Sequence, residues 1–273
     1  MQILPLSEND FLDVEELIRN TLLEINSQDY SDHIIQGMLT VDPFRPRNTF
    51  HERQYFVSKD PDIIWIIGVK ENEVKTFFVD VNHRGKGVWK KLLDYAHRKI
   101  LENGFGESVV YSSVSARGFY EKNGYIIIRE DLSDMSGESM LRYYLEKDLI
   151  DNRWSFWGDK YLAEKLLSLV LNGLKTATTG LYVNNEPHWK VGEYAIIFDE
   201  ETWKDLCIIE YTKVEILPFL DVEFEYIRKE GEWDKDIESW RKSHRQFYYR
   251  EYPEIFTDDS MVVCEEFRPV KIL

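Results

Sequence analysis

Residues 79–93 read Val79-Asp80-Val81-Asn82-His83-Arg84-Gly85-Lys86-Gly87-Val88-Trp89-Lys90-Lys91-Leu92-Leu93, a strand-like stretch that passes through a glycine-bearing turn into helical spacing. A turn of this kind leaves backbone N–H groups without intrahelical acceptors, and the helix dipole adds to their attraction for an anion. Gly85 and Gly87 let the backbone approach such a ligand closely. The chemistry on offer is the gripping of a diphosphate, with Val79, Val81, Arg84, Gly85, Lys86, Gly87, Val88 and Trp89 as candidate contacts. Taken singly, the same residues also describe an ordinary strand-to-helix turn with Arg84 as a solvated cation.

A second segment, Ser115-Ala116-Arg117-Gly118-Phe119-Tyr120-Glu121-Lys122-Asn123-Gly124-Tyr125, follows one strand later. The two segments together resemble the GNAT superfamily of N-acetyltransferases. Its motif A runs Arg or Gln, two residues, Gly, one residue, then Gly or Ala, and its later short helix ends in Tyr-Glu-Lys-x-Gly-Phe/Tyr. Arg84 and Gly87 match the first motif, while Trp89 stands where Gly or Ala is usual. The resemblance implies that acetyl-CoA is the acyl donor and that a primary amine, of a small molecule or a peptide, is the acceptor. It implies direct transfer beside the strand Val74 to Val81, whose N–H groups would polarise the thioester carbonyl. Tyr120 would protonate the departing thiolate. Asp80, Glu52 and His83 are candidate bases by type only. Two alternatives stay open: Tyr120 packing its ring in the core, and a protein that binds acyl-CoA without turnover.

In the second half, Lys175 and Thr178 follow an apolar helical stretch in Asn172-Gly173-Leu174-Lys175-Thr176-Ala177-Thr178-Thr179. A lysine held in a cleft could titrate low enough to act as a base, with a threonine hydroxyl as nucleophile. Gly173, Lys175 and Thr178 match the Gly-x-Lys-x-x-Thr motif of the ASCH superfamily, which this half resembles. Lys190-Val191-Gly192-Glu193 and Val263-Cys264-Glu265-Glu266-Phe267 fit as well, and Gly180 stands where an Arg is common. The resemblance implies a PUA-like β-barrel associated with RNA or a nucleoside, or an amidohydrolase of N4-acetylcytidine using Lys175, Thr178 and Glu230. Without chemistry, Lys175 is a solvated cation and Thr178 merely begins a strand. The stretch from Trp240 to Arg250 mixes cations with aromatics that could stack on bases, but Trp240, His244, Phe247 and Tyr248 also share one helical stripe that would face a core.

The elements that must position these residues are of α/β (α+β) type in residues 1–149. Helical spacing covers Asp10 to Ile25, Ser31 to Leu39, Gly87 to Asn103 and Ser115 to Lys122. Arg53 to Ser58, Ile63 to Val69 and Val74 to Val81 read as an antiparallel meander within a mixed, mostly antiparallel sheet. Ser108 to Ser112, Tyr125 to Arg129 and Met140 to Glu146 are further strands. Residues 150–273 form a second, strand-heavy domain: Glu193 to Asp199, Asp205 to Leu217 and Met261 to Ile272 alternate with helical sequence at 159–171, 221–229 and 237–249.

Composition narrows the class. At 43% hydrophobic and 31% charged, the 273 residues suit a folded globular chain. Residues 151–273 hold 16 Lys and Arg against 25 Asp and Glu, so −9 of the net −16 lies there and −7 in residues 1–150; neither half is a generic polyanion binder. Apolar runs are too short to span a bilayer and the N-terminus lacks a leader pattern, so we expect a cytoplasmic protein with no membrane partner. Cys207 and Cys264 sit in apolar sequence without metal-ligand spacing and read as buried thiols, with no metal expected.

Overall fold

The computed structural model describes residues 2–40, 46–59, 62–83, 88–156, 160–183, 188–232 and 236–273. The chain divides into two compact units, Met1–Leu149 and Ile150–Leu273.

The first unit runs β1 (Leu4–Pro5), α1 (Phe11–Glu24), α2 (Asp32–Thr40), α3 (Pro46–Thr49), β2 (Gln54–Lys59), β3 (Ile63–Lys70), β4 (Glu73–Val79), α4 (Val88–Glu102), β5 (Glu107–Ser112), α5 (Arg117–Lys122), β6 (Ile126–Met135) and β7 (Glu138–Asp148). Its seven strands are ordered β1-β2-β3-β4-β5-β7-β6. All pair antiparallel except β4 with β5. The unbroken apolar run of β3 follows from its place in the middle, since α1 and α2 cover one face and α4 the other. On α4 the buried positions Leu92, Leu93, Ala96, Ile100 and Leu101 form one stripe, as 3.6 residues per turn requires.

Strand β4 is irregular in two ways. Its register with β3 slips between Ile66 and Gly68, and Thr76 takes a positive φ of 50° there. This bulge shifts the alternation of side chains by one, so Val74 and Phe77, three residues apart, pack into the same core. Secondly, β4 pairs with β5 only at Glu73–Val109 and Val74–Val110, although the strands continue to Val79 and Ser112.

The hairpin of β6 and β7 is longer than the periodicity of Tyr125 to Arg129 and Met140 to Glu146 predicts. The outer strand β6 is mostly exposed and alternates polar with apolar residues weakly, so its extension carries little hydrophobic signal.

The second unit comprises β8 (Arg153–Trp154), α6 (Lys160–Leu171), β9 (Ala177–Leu181), β10 (Tyr194–Phe198), β11 (Asp205–Pro218), α7 (Phe224–Lys229), α8 (Ile237–Glu251) and β12 (Met261–Ile272). Its sheet is ordered β8-β10-β11-β12-β9. One core gathers Phe156, Leu166, Val170, Tyr211 and Phe267, and another gathers Phe219, Trp240, Tyr248, Phe256, Val262 and Cys264. Trp240 and Tyr248 are therefore core residues and not a base-stacking face. Both cysteines are buried free thiols, and burial pushes Cys207 up to about 11 and Cys264 up to about 12.

Candidate functional site

Where β4 and β5 cease to pair, a cavity of about 390 Å³ opens. Its wall is built from Phe77, Phe78 and Thr76 at the bulge, Tyr111 and Ser112 at the end of β5, Trp89 from α4, and Phe119 and Tyr120 from α5. Strand edges that part expose backbone groups with no ladder partner, which suits them to hold an extended ligand. Trp89 joins the wall by packing on Phe77 at 4.7 Å and on Phe119 at 5.4 Å.

Tyr120 is almost fully buried and packs its ring against Phe119 and Tyr125. Burial, aided by neighbouring Tyr125, pushes its phenol above the ordinary value, so it keeps its proton. The ring of Tyr120 is in the core, and the residue also lines the cavity.

Of the other diphosphate candidates, Arg84, Gly85, Lys86 and Gly87 lie outside the described residues. Val79 ends β4 with its side chain in the core, and Val81 lies in a 3-10 turn instead of the strand, because His83 N–H turns back to the Asp80 carbonyl at 3.0 Å. Val88 opens α4 and packs against the same core.

The bases proposed by type do not reach the cavity. Glu52 pairs with Lys70 at 3.3 Å, and Asp80 accepts from His83 and from Asn82 N–H. Against the opposing effect of burial, those two bonds hold the Asp80 carboxyl below the usual range. Among the described lining residues the one carboxylate is Glu73, paired with Lys75 at 2.6 Å. By sequence Glu73 falls in the polar turn after β3; its alternation with Val74 and Lys75 is the signal that it begins a strand.

The second unit gathers its own polar cluster. Gly173, at φ 69°, stops α6, and Leu174 and Lys175 N–H both return to the Leu169 carbonyl. Lys175 is thereby turned inward and is 2% exposed. Its Nζ donates to Glu232 Oε1 at 2.6 Å and to the Glu230 carbonyl at 3.3 Å, and lies 5.8 Å from the Phe156 ring centre.

The structure does not bring Lys175, Thr178 and Glu230 together as one constellation. The Glu230 carboxylate faces away from Lys175 Nζ, accepting from Thr179 Oγ1 at 2.5 Å and Trp240 Nε1 at 2.7 Å. Gly231, at φ 73°, reverses the chain between Glu230 and Glu232; a Cβ there would lie 2.5 Å from the Leu174 carbonyl oxygen. The threonine that meets Glu230 is Thr179, since alternation along β9 sends Thr178 to the other face. Thr178 instead pairs across strands with Glu265, whose buried carboxyl is pushed up to about 7 by desolvation against a bond from Trp189 N–H. Motif spacing alone could not separate Glu230 from Glu232, because the turn between them decides which one meets the lysine.

Residues 26–146 match a family model described as an acetyltransferase (GNAT) domain, and residues 152–271 match one described as an ASCH domain. The chain joins a GNAT acetyltransferase domain to an ASCH domain. For the GNAT domain, a GCN5-related N-acetyltransferase structure from Rhodopseudomonas palustris is 16% identical over 54% of this chain and 95% of its own, with a TM-score of 0.50, a likeness of fold. For the ASCH domain, with its PUA-like fold, an ASCH structure from Lactobacillus crispatus JV V101 is 31% identical, covering 44% of this chain and 79% of its own at a TM-score of 0.41. A structure from Enterococcus faecalis V583 is 32% identical, covering 46% and 84% at a TM-score of 0.41. No curated protein matches the chain.

In the GNAT domain the cavity thus lies at the bulge and the parting strands, and in the ASCH domain the motif lysine lies beneath the Glu232 carboxylate. No described helix is long and apolar enough to cross a membrane. Among the described residues no group of three or more His, Cys, Asp or Glu side chains is placed to hold a metal ion.

Proposed function

We propose that the GNAT domain transfers the acetyl group of acetyl-CoA to a primary amine, and that the ASCH domain binds RNA or a nucleotide. The observation that carries the first part is the cavity between β4 and β5, with Tyr120 and Glu73 both on its wall. Acetyl-CoA, when bound, supplies the activated acyl group. The unpaired edge of β4 beyond Val74 orients the thioester and polarises its carbonyl, and the residues from Arg84 to Trp89 take the diphosphate. Glu73 receives the proton that the attacking amine sheds. Tyr120 gives its phenolic proton to the sulfur as the C–S bond breaks, and regains one from solvent afterwards. The aromatic wall of Phe77, Trp89 and Phe119 limits access of water to the reacting carbonyl.

The test pairs binding with turnover. Acetyl-CoA at 100 times its dissociation constant should add about 2.7 kcal/mol to stability. Thiol release across an amine panel should follow, and Tyr120→Phe should lower kcat by about 100-fold with little change in KM for acetyl-CoA. No thermal shift with acetyl-CoA would sink the reading, and a shift without thiol release would favour a protein that binds acyl-CoA without chemistry.

A second reading, hydrolysis of N4-acetylcytidine by the ASCH domain, is favoured by one observation: a buried lysine paired with Glu232 and next to Phe156. Incubation with N4-acetylcytidine should then yield cytidine, and Lys175→Ala should not. Equal absence of product in both proteins leaves binding alone.

A further inference from the structure

Among the described lining residues, the wall of the GNAT cavity carries Arg53, Lys75 and Arg142 against a single carboxylate, Glu73. In a chain of net charge −16 this is a local reversal of sign, facing the place where an acceptor would sit. Lys75 is engaged by Glu73. Arg142, on β7, is held over the Tyr111 ring, its Cζ 4.8 Å from the centroid, and Asp131 accepts from Nη2 at 2.6 Å. Its Nε–H, shielded from solvent, meets no acceptor among the described residues. Arg53 donates through Nη1 to Tyr55 Oη and Thr76 Oγ1, both at 3.2 Å, which fixes it beside the bulge.

A guanidinium fixed on the cavity wall is poised for an anionic oxygen, and its planarity favours a carboxylate. The rest of the wall includes Ile25, Met38, Phe78 and Met140, which suit an apolar body.

We infer that the acceptor is a small amine carrying a carboxylate on an apolar body, its anion seated against Arg142 and its amine toward Glu73; this rests on the acetyltransferase reading and narrows it. A phosphomonoester offers the same oxygens, so the test distinguishes the two.

With acetyl-CoA as donor, thiol release is measured for L-amino acids with apolar side chains, for the matching carboxamides, and for O-phosphoethanolamine beside ethanolamine. The carboxylates should exceed their carboxamides by about tenfold or more in kcat/KM. Arg142→Gln should bring that ratio within about threefold, mainly through KM, and Arg142→Lys should retain part of it. Carboxamides used as well as the acids, an unchanged ratio in Arg142→Gln, or preference for the phosphoamine alone would each overturn the carboxylate assignment while leaving acetyl transfer standing. Recognition is also read without turnover, by the thermal shift that each amine adds to protein saturated with CoA. A larger shift with acids than with amides, lost in Arg142→Gln, supports the anion seat even where no thiol is released; equal shifts overturn it.

Discussion

Replacing Lys175 by Met isolates the central interaction of the ASCH domain. The Lys175 and Glu232 side chains are 3% and 16% exposed and meet at 2.6 Å. At an effective dielectric constant of about 20 their Coulomb attraction is on the order of 6 kcal/mol, most of which offsets the desolvation of the two charges. Removing one partner leaves the other charge poorly solvated and deprives the Glu230 carbonyl of a donor, for an expected loss of about 3–5 kcal/mol. Replacing both, as in Lys175→Met with Glu232→Leu, should return stability to within about 1 kcal/mol of the parent, since two apolar groups leave no charge stranded. Six of the eight tryptophans lie in residues 150–273, so urea unfolding followed by intrinsic fluorescence reports mainly on this domain. A loss below about 1 kcal/mol for Lys175→Met, or a double variant no more stable than the single one, would refute the view that a desolvated ion pair is what orders this cluster.

Three further outcomes are expected. His97 is buried against Tyr125, 2.9 Å from its hydroxyl, and desolvation, with Lys147 and Lys90 adding to it, pushes the imidazole down to about 3. The folded chain therefore stays neutral there while the unfolded chain takes up a proton below about pH 6.5, so stability should fall by up to about 1.4 kcal/mol per pH unit on acidification. His97→Gln should flatten that slope in urea titrations between pH 4 and 7. Glu265 has the opposite sign: its folded carboxyl keeps a proton up to about pH 7 that the unfolded chain releases near its ordinary value of 4.5, so stability of the ASCH domain should fall as pH rises between those values, and Glu265→Gln should remove the effect. Gly231→Ala would combine a strained positive φ with a contact of 2.5 Å to the Leu174 backbone, and should cost more than the roughly 1–2 kcal/mol of the left-handed conformation alone, measured as a lowered thermal midpoint with loss of Trp240 burial.

Much of the fold was legible because local chemistry and global fold agree. The periodicity of α1 and α4, the apolar run of β3 and the order of elements all follow from which faces had to be buried. The ends of β6 and β7 were not, since an exposed outer strand leaves no apolar pattern to read. Within the sites, Tyr120, Lys175 and Thr178 could be singled out by spacing to neighbouring glycines. Glu73 and Arg142 could not, because nothing within a few residues of either marks it as part of a cavity.

What the sequence determined by itself is the set of local conformations and the two family resemblances that they carry. A glycine after α6, a helix after a polar turn and a buried thiol are each set by residues within one or two turns of chain. Only tertiary structure decided which carboxylate meets Lys175, which threonine meets Glu230, and where β4 leaves β5. Those outcomes depend on a one-residue bulge at Thr76, a one-residue reversal at Gly231 and the two-residue alternation of β9. Each turns a side chain through roughly half a revolution without changing the composition around it.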